Sequence, residues 1–579
     1  MEYFSLSYWD YFVFGAFFVV LGVIGYWAGR GEQSTSSEYF LAGKKLPWYV
    51  VGGSFIASNI SSEHFIGMIG SAMIFGGCVA FYEWGNLVVF SLLIWFFIPF
   101  LLASGVFTMP EFLERRFSAS IRTMFALVTV ISNVVAFLAA VLYGGALALQ
   151  SLFGWNLWFA IVALALVAGV WAIYGGLSSV AWTDLLTVVV MLVGGITVTV
   201  LCLEHLGGEQ AGILEGFREM LARNQATTGP WREANLAVAA NTTGTPSYNR
   251  LSIIQPATHP LLPTLSLPFV VLSVSIWYNV LNQFMIQRVL GAKDMYHARM
   301  GIIFAGWIKV ILPLVTVVPG LCLFALFPEV LLGPWEEVRP EADRGYVKLI
   351  QMLVPQGLRG LFLAALFGAI QSTVNSVLNS TATIFTLDIY QRHLVPDASD
   401  RHLVRVGVVS SCVILAIAIV LGRYVGQLGG SLFEYIQSLY AFFAPPFAAV
   451  FLLGILWRRI NVYGAWAAIL LGLGMGVALK LYVQLDSTHP AWLDPFGNQT
   501  AISWIICVVV CVVVSLATPS PPAHKVGSDV TLDWKSLNIF RSHGRPWYAS
   551  VSFWWSLWFV VLVVLIGMLS DLKFPMPPS

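Results

Sequence analysis

Some fourteen apolar runs, each long enough to cross a bilayer as a helix, limit this chain more than any other feature. They cover roughly 8–28, 48–75, 79–105, 122–150, 156–174, 180–203, 263–288, 300–327, 358–390, 404–422, 432–457, 463–483, 500–517 and 550–570. A spanning helix needs roughly 17 to 25 such residues. Lipid offers no partner to an unpaired backbone group, so runs this long and continuous fold as helices. The expected fold class is an all-α polytopic membrane protein of about fourteen transmembrane helices. Composition agrees: 58% of residues are hydrophobic and 10% charged, and mean hydropathy is +0.80, whereas soluble proteins carry about 25% charged residues. A net charge of +1 gives no footing for nucleic acid. The cysteines (Cys78, Cys202, Cys322, Cys412, Cys507, Cys511) lie in or beside apolar runs without metal-ligand or redox spacing, and read as small packed hydrophobes. No cleavable leader pattern precedes the first run.

Orientation follows from Lys and Arg. With Arg30, Lys44 and Lys45 on the cytoplasmic side, the same side collects Arg115, Arg116, Arg122, Arg288, Lys293, Arg299, Arg392, Arg401, Arg405, Arg458, Arg459, Lys525, Lys535, Arg541 and Arg545. Both termini are then expected outside. Trp9, Trp48, Trp155, Trp457 and Trp547 fall near run ends, as an interfacial aromatic belt requires. The outer segment 204–262 ends in "AANTTGTPSYNR", a surface-loop composition, and Asn241 and Asn498 head N-x-T sequons. The inner segment 519–549 is polar and Pro-bearing, a tether to the last span.

The second run contradicts its surroundings. "ASNISSEHFIG", Ala57 to Gly67, places three serines, an asparagine, a glutamate and a histidine where lipid lies on either side. Such a stretch is helix–helix glue, a loop between helices, or a break in one helix that frees backbone groups for a solute or ion. Ser54, Ser61 and Ser62 suit glue. Glu63 beside His64 does not, since ionisable groups at membrane depth line polar cavities. The seventh run is interrupted in the same way, by Ser275, Asn279, Asn282 and Gln283 in "SVSIWYNVLNQFMIQR". Broken spans at corresponding places in two halves point to a transporter's midplane site. Each opens a set of five runs, and an odd number per set inverts the second set against the first. In the ninth run Ala369, Ser372 and Thr373 stand at i, i+3 and i+4, on one helix face. With carbonyls freed near Ala57 and Ile60 they provide five neutral oxygens for a small hard cation. The competing reading is that these hydroxyls only pack closely or bond back to their own helix.

Six stretches occur in a telling order: "ASNISSEHFIG", "YEWGN", "YGGLSSVAWTD", "WYNVLNQFMIQR", "NSTATIFTLDIY" and "FEYIQSLYAFFAPPFAAVFLLGILWRR". They resemble the sodium–solute symporter family, in its sodium/glucose cotransporter branch. The likeness runs from the second span to the eleventh. It implies a five-plus-five inverted repeat of leucine-transporter type, with alternating access to a central sugar site. It implies a sodium site of Ala57, Ile60, Ala369, Ser372 and Thr373, and sugar contacts from Asn59, His64, Glu83, Asn86, Ser275, Lys309 and Gln437. Tyr278 matches the inner gate, and Asp184 the acidic residue tied to sodium coupling. Ser275 is shorter than the Asn or Thr of relatives, and Asn279 replaces an aromatic beside the gate tyrosine. Asn375 stands where members coupling two sodium ions carry Thr, which implies one sodium per solute.

Side-chain chemistry runs parallel to that resemblance. Sugar hydroxyls donate and accept, so their pocket needs carboxylate, amide, ammonium and imidazole groups. Lys309 and Lys480 are the basic residues lying deep in apolar runs; Lys480 is read as snorkelling to the interface and Lys309 as a site residue paired with Glu83. Gln437 precedes Pro445–Pro446, a kink that opens a helix to a cavity.

The expected organisation is 1–47 as an extra helix and loop, 48–203 as the first repeat, 204–262 as the outer loop, 263–457 as the second repeat, and 458–579 as extra helices. The expected activity is sodium-coupled uptake of a neutral, glucose- or galactose-like sugar, with sodium the co-transported ion. A myo-inositol or other polyol symporter is the alternative, followed by a sialic acid transporter or a solute sensor. A membrane enzyme has no support: there is no HExxH and no Cys/His cluster. Expected partners are sodium, a small sugar or polyol and the lipid bilayer, with function as a monomer in the plasma membrane, or the inner membrane of a bacterium.

Overall fold

In a computed structural model helices occupy every one of those runs. The structure describes residues 5–30, 35–208, 212–245, 248–425, 432–486, 488–532 and 546–570. Lys535, Arg541 and Arg545, the tether residues 533–545 and both chain ends therefore lie outside the described residues. Among those described, 12 helical stretches are long and apolar enough to cross a membrane. Two of the expected runs drop out of that number. One is broken at Ile60, and its remainder continues through the next run as Glu63–Ser104. The other, Leu157–Val170, is too short alone and turns at Gly176 (φ 56°, ψ −152°) into the following helix. Only glycine adopts that backbone without strain, and its α-carbon sits against the Tyr39 carbonyl. This is a multi-pass membrane protein.

Water does not drive helices together inside lipid, so close packing and interhelical hydrogen bonds hold them. The Trp48–Asn59 helix lies between Met295–Leu326 and the long Leu157–Gly207 element. It meets the former at Gly52 and Gly301, where any side chain on Gly52 would strike the Gly301 carbonyl. The Arg359–Ile384 helix runs along Leu157–Gly207 and is almost wholly buried. Val462–Leu485 and Phe496–Ala517 pair with each other and with Leu432–Leu456, turning Leu470, Val477, Val509 and Val513 outward.

Several polar anchors fix the ends of these helices. Asp10 is fully buried and accepts from Gly360 N at 2.8 Å and Gly357 N at 3.0 Å. A carboxylate thus sits at the N-terminus of Arg359–Ile384, where unpaired N–H groups and the helix dipole favour it. On the same face, Arg250 caps the C-terminal end of Ile69–Phe75. It donates to the Ile74 carbonyl at 2.6 Å and the Met73 carbonyl at 2.5 Å, and lies 3.7 Å over the Phe324 ring. Tyr248 donates to the Phe75 carbonyl at 2.9 Å and accepts from His259 Nε2 at 2.7 Å. His259 Nδ1 accepts from Leu261 N and Leu262 N, so this ring is the Nε2–H tautomer. Burial pushes its pKa down to about 3.

At the other face Arg122 joins Asp388 (2.7 Å) to Glu114 (2.8 Å), and Arg392 adds a contact of 2.6 Å to Glu114. Burial raises the Glu114 pKa, but the two guanidiniums outweigh it and hold the carboxyl below its usual range. Two arginines counted among inner-face loop charges are instead interior. Arg116 is 1% exposed and caps Leu432–Leu456 through the Gly454 carbonyl (2.7 Å) and Ile460 carbonyl (2.8 Å). Arg288 is 0% exposed and faces Asp184. Both follow a polar residue near a helix end, a context that reads as solvated until tertiary packing surrounds it.

Candidate functional site

The second span breaks where its polar residues stand. Trp48–Asn59 is regular; Ile60 leaves the helix at φ −78°, ψ 120°, and a π-helical turn, Glu63–Met68, resumes it. The Ser61 N–H, which in a continuous helix would return to the Ala57 carbonyl, donates instead to His64 Nδ1 at 3.3 Å. Glu63 N donates to Ser61 Oγ at 3.1 Å, and Ser62 Oγ to the Val141 carbonyl at 3.2 Å. The carbonyls of the last turn are thereby released, at the negative end of a helix dipole.

Thr373 Oγ1 approaches those carbonyls, 3.1 Å from Ile60 O and 3.5 Å from Ser58 O. Ala57 and Ala369 are wholly buried on the same two helices. Ser372 turns its hydroxyl hydrogen to Asp184 Oδ1 at 2.6 Å, which leaves its lone pairs free on the other side. Neutral hydroxyl and carbonyl oxygens gathered at a helix break suit a small hard cation.

On the other side of the break lies a cavity of about 70 Å³, room for several water molecules at roughly 10–15 Å³ each. Asn59, His64, Glu83, Asn86, Ser275, Lys309 and Gln437 all line it, as does Tyr278. Lys309 Nζ donates to Glu83 Oε2 at 2.5 Å and Asn59 Oδ1 at 2.6 Å. His64 Nε2 lies 3.1 Å from Glu83 Oε1. Because His64 Nδ1 accepts from Ser61, the proton belongs on Nε2 and points to Glu83. Glu83 thus bridges imidazole and ammonium, and His64 links cavity and break through one ring. Gln437 Nε2 donates to Glu63 Oε1 at 3.2 Å. Asn279 Nδ2 donates to Asn86 Oδ1 at 2.8 Å, while Asn86 Nδ2 donates to the Tyr82 carbonyl at 2.7 Å.

Aromatic rings bound the cavity. Tyr278 packs on Tyr440 and Phe284 with ring centroids 5.6 Å apart in both pairs, and Phe137 lies 5.0 Å from Phe284. Tyr82 and Phe433 meet edge to face at 4.7 Å. Glu63 and Asn279, marked in the sequence as polar residues inside apolar runs, also line the cavity, and so do Phe433 and Tyr440, which the sequence reading did not name. The signal for the latter two was helical spacing: Phe433 and Tyr440 stand at i−4 and i+3 from Gln437.

Asp184 does not reach the cavity. It lies with Ser54 (2.6 Å), Ser58 (3.4 Å), Ser372 and Arg288 in a separate buried cluster. The second break, at Asn282 (φ −71°, ψ 121°), sits at the end of Trp277–Leu281. Gln283 after it accepts from Met109 N and donates to the Phe107 carbonyl, each at 3.0 Å.

Comparison with known proteins places this geometry among transporters. The model of the sodium:solute symporter family matches residues 39–472. The sodium/glucose cotransporter of Vibrio parahaemolyticus is 34% identical over 550 residues, 92% of this chain and 96% of that one. The human sodium/myo-inositol cotransporter is 31% identical over 557 residues, covering 92% and 76% of the two chains. The rat sodium/myo-inositol cotransporter 2 is 34% identical over 523 residues, covering 88% and 75%. Among solved structures, the substrate-bound outward-open state of a sodium-coupled sialic acid symporter superposes with a TM-score of 0.70 at 20% identity. It covers 89% of this chain and 99% of its own, a likeness of fold.

Proposed function

The chain belongs to the sodium:solute symporter family, and we propose from that premise that it is a sodium-coupled symporter taking up a neutral, glucose- or galactose-like sugar by alternating access. The observation that carries this reading is the cavity, where one ammonium, two carboxylates, an imidazole and several amides converge. Each is a hydroxyl-binding group. Lys309 is neutralised by Glu83 at 2.5 Å, so no surplus positive charge remains for an anion. That supports a neutral solute over a sialic acid-like one. Asn59, His64, Glu83, Asn86, Ser275, Lys309 and Gln437 hold the sugar, and Tyr278 closes the route inward. The carbonyls of Ala57, Ile60 and Ala369 and the hydroxyls of Ser372 and Thr373 hold one sodium, with Asp184 orienting Ser372.

Mechanistically, sodium bridges the broken helix to Arg359–Ile384 and fixes the last turn before Ile60. Asn59, in that turn, holds Lys309 at 2.6 Å, so ordering the turn orders the sugar pocket. Sodium thereby favours the state that binds sugar, which is coupling through a shared element. Entry of sodium releases about 2.3 kcal/mol per 100 mV of potential, enough with its gradient to drive a neutral solute uphill. Residues 48–203 and 263–457 form inverted repeats within a fourteen-helix plan, both termini lie outside, and the monomer is the working unit.

Uptake of labelled glucose, galactose and myo-inositol into proteoliposomes, with and without an inward sodium gradient, tests the reading. Sodium-dependent accumulation of a hexose, abolished by Gln437→Ala, is the expected result. Accumulation of myo-inositol alone, which the relatives make the second reading, keeps the mechanism and changes the solute. Binding without accumulation of any of them overturns symport in favour of a sensor.

A further inference from the structure

We propose that Arg288 is a tethered cation that shuts the cytoplasmic exit of the sodium site, and that sodium leaves only when this guanidinium has withdrawn from Asp184. The inference rests on the symporter reading above. Arg288 and Asp184 are 0% and 1% exposed, with Nη2 3.7 Å from Asp184 Oδ2. The guanidinium is seated on every side. Nε donates to Ser54 Oγ at 3.1 Å, Nη2 donates to Ser376 Oγ, and Nη1 to the Phe284 carbonyl. Ser58 Oγ and Ser376 Oγ lie 2.7 Å apart and close the cluster. Four helices therefore meet on one charge pair: Trp48–Asn59, Leu157–Gly207, Gln283–Leu290 and Arg359–Ile384.

Its place relative to the sodium oxygens follows from helical spacing. Ser54 precedes Ala57 by three residues on the helix that begins at Trp48, and Ser376 follows Thr373 by three on the helix that ends at Ile384. Both steps are about one turn, near 5 Å along the axis, and both lead toward the proposed cytoplasmic face. Sodium moving that way meets Asp184 and Ser376 next. An arginine there keeps its charge under all conditions. It repels a second cation while satisfying the carboxylate that would otherwise attract one.

The guanidinium can also be moved as a unit. Arg288 belongs to Gln283–Leu290, the short helix that starts at the Asn282 break. A rotation at that break carries the positive charge away and leaves Asp184 with its three serine hydroxyls, an anionic station for a departing sodium. Asp184 thus pairs with an internal cation while the inner side is closed and with the transported one as it opens. Arg288 is a positioning residue for sodium rather than a ligand of it.

The test is sodium-22 entry into proteoliposomes without sugar, run beside sodium-driven sugar accumulation. Arg288→Gln is expected to raise sugar-independent sodium entry at least tenfold while accumulation falls, and Arg288→Lys to restore most of the coupling. Ser376→Ala removes one seat of the guanidinium without stranding a charge, and a several-fold leak is expected from it even if Arg288→Gln fails to fold. Unchanged sodium entry in Ser376→Ala and in whichever Arg288 variants fold overturns the inference. So does a parallel loss of both fluxes that Arg288→Lys does not relieve, the signature of a purely structural pair. Failure of the unsubstituted protein to couple sodium to any solute would instead remove the symporter reading.

Discussion

The two helix breaks share a backbone and differ in everything around it. Ile60 and Asn282 leave their helices at nearly the same angles, −78°/120° and −71°/121°. Around Ile60 stand a threonine hydroxyl at 3.1 Å, an imidazole that receives the stray Ser61 N–H, and the charged cavity beyond. Around Asn282 stands a clamp: the neighbouring Gln283 grips the Phe107–Met109 backbone from both ends of its amide. A break in a membrane helix exposes polar backbone, and the fold can answer with a ligand or with another piece of protein. The first break is answered by a hydroxyl, an imidazole and a polar cavity, where we place the ligands, and the second by the Gln283 amide.

The largest expected effect falls on the first break. Glu83→Gln leaves Lys309 buried without its counter-charge, a loss of about 3–5 kcal/mol when one partner of a buried pair is removed. Sugar uptake should fall at least about 100-fold, and Glu83→Gln combined with Lys309→Met should regain thermal stability without regaining uptake. Thr373→Val comes next, removing one oxygen of the proposed cation site at constant shape. The sodium concentration for half-maximal uptake should rise about tenfold, roughly 1.4 kcal/mol, while the sugar constant at saturating sodium stays within about twofold. If the sugar constant moves as far as the sodium constant, the division of the first break into two sides is wrong.

Gln283→Ala makes the complementary cut. It removes two buried hydrogen bonds, about 1–3 kcal/mol, and should lower the melting temperature and change turnover while the sodium constant moves less than about threefold. A large shift in sodium affinity would make the second break a binding element after all. The smallest effect is expected outside both breaks, where His259 stays neutral down to a pKa of about 3. The unfolded chain takes up that proton near pH 6.5. The loop's contribution is thus complete above pH 6.5 and declines as the pH falls from there toward 3. Thermal scans between pH 7.5 and 4.5 should slope more steeply for the natural protein than for His259→Gln.

How much of this was legible beforehand depended on how local the signal was. Polar residues inside an apolar run announce a cavity directly, so the Ile60 break and the Lys309 site could be read from ordinary sequence. The number of spans was less legible, because a stretch that breaks at Ile60 is one run to the eye and two segments in space, while the two runs either side of Gly176 join through a turn. Arg288 was the hardest. Beside Gln287 and before a loop it looks like one more inner-face charge, and only residues 54, 184 and 376, scattered through the chain, make it interior.

The carboxylate of Asp10, locked onto Gly357 and Gly360, gives the flanking first helix a mechanical meaning. It ties the N-terminal end of Arg359–Ile384 to that helix, and the proposed alternating access would then leave the helix carrying Ser372 and Thr373 as the fixed member against which the broken helix swings. Spin labels at Phe12 and Leu358 should therefore keep one separation throughout the transport cycle, a stationary mark against which the stroke of every other helix can be measured.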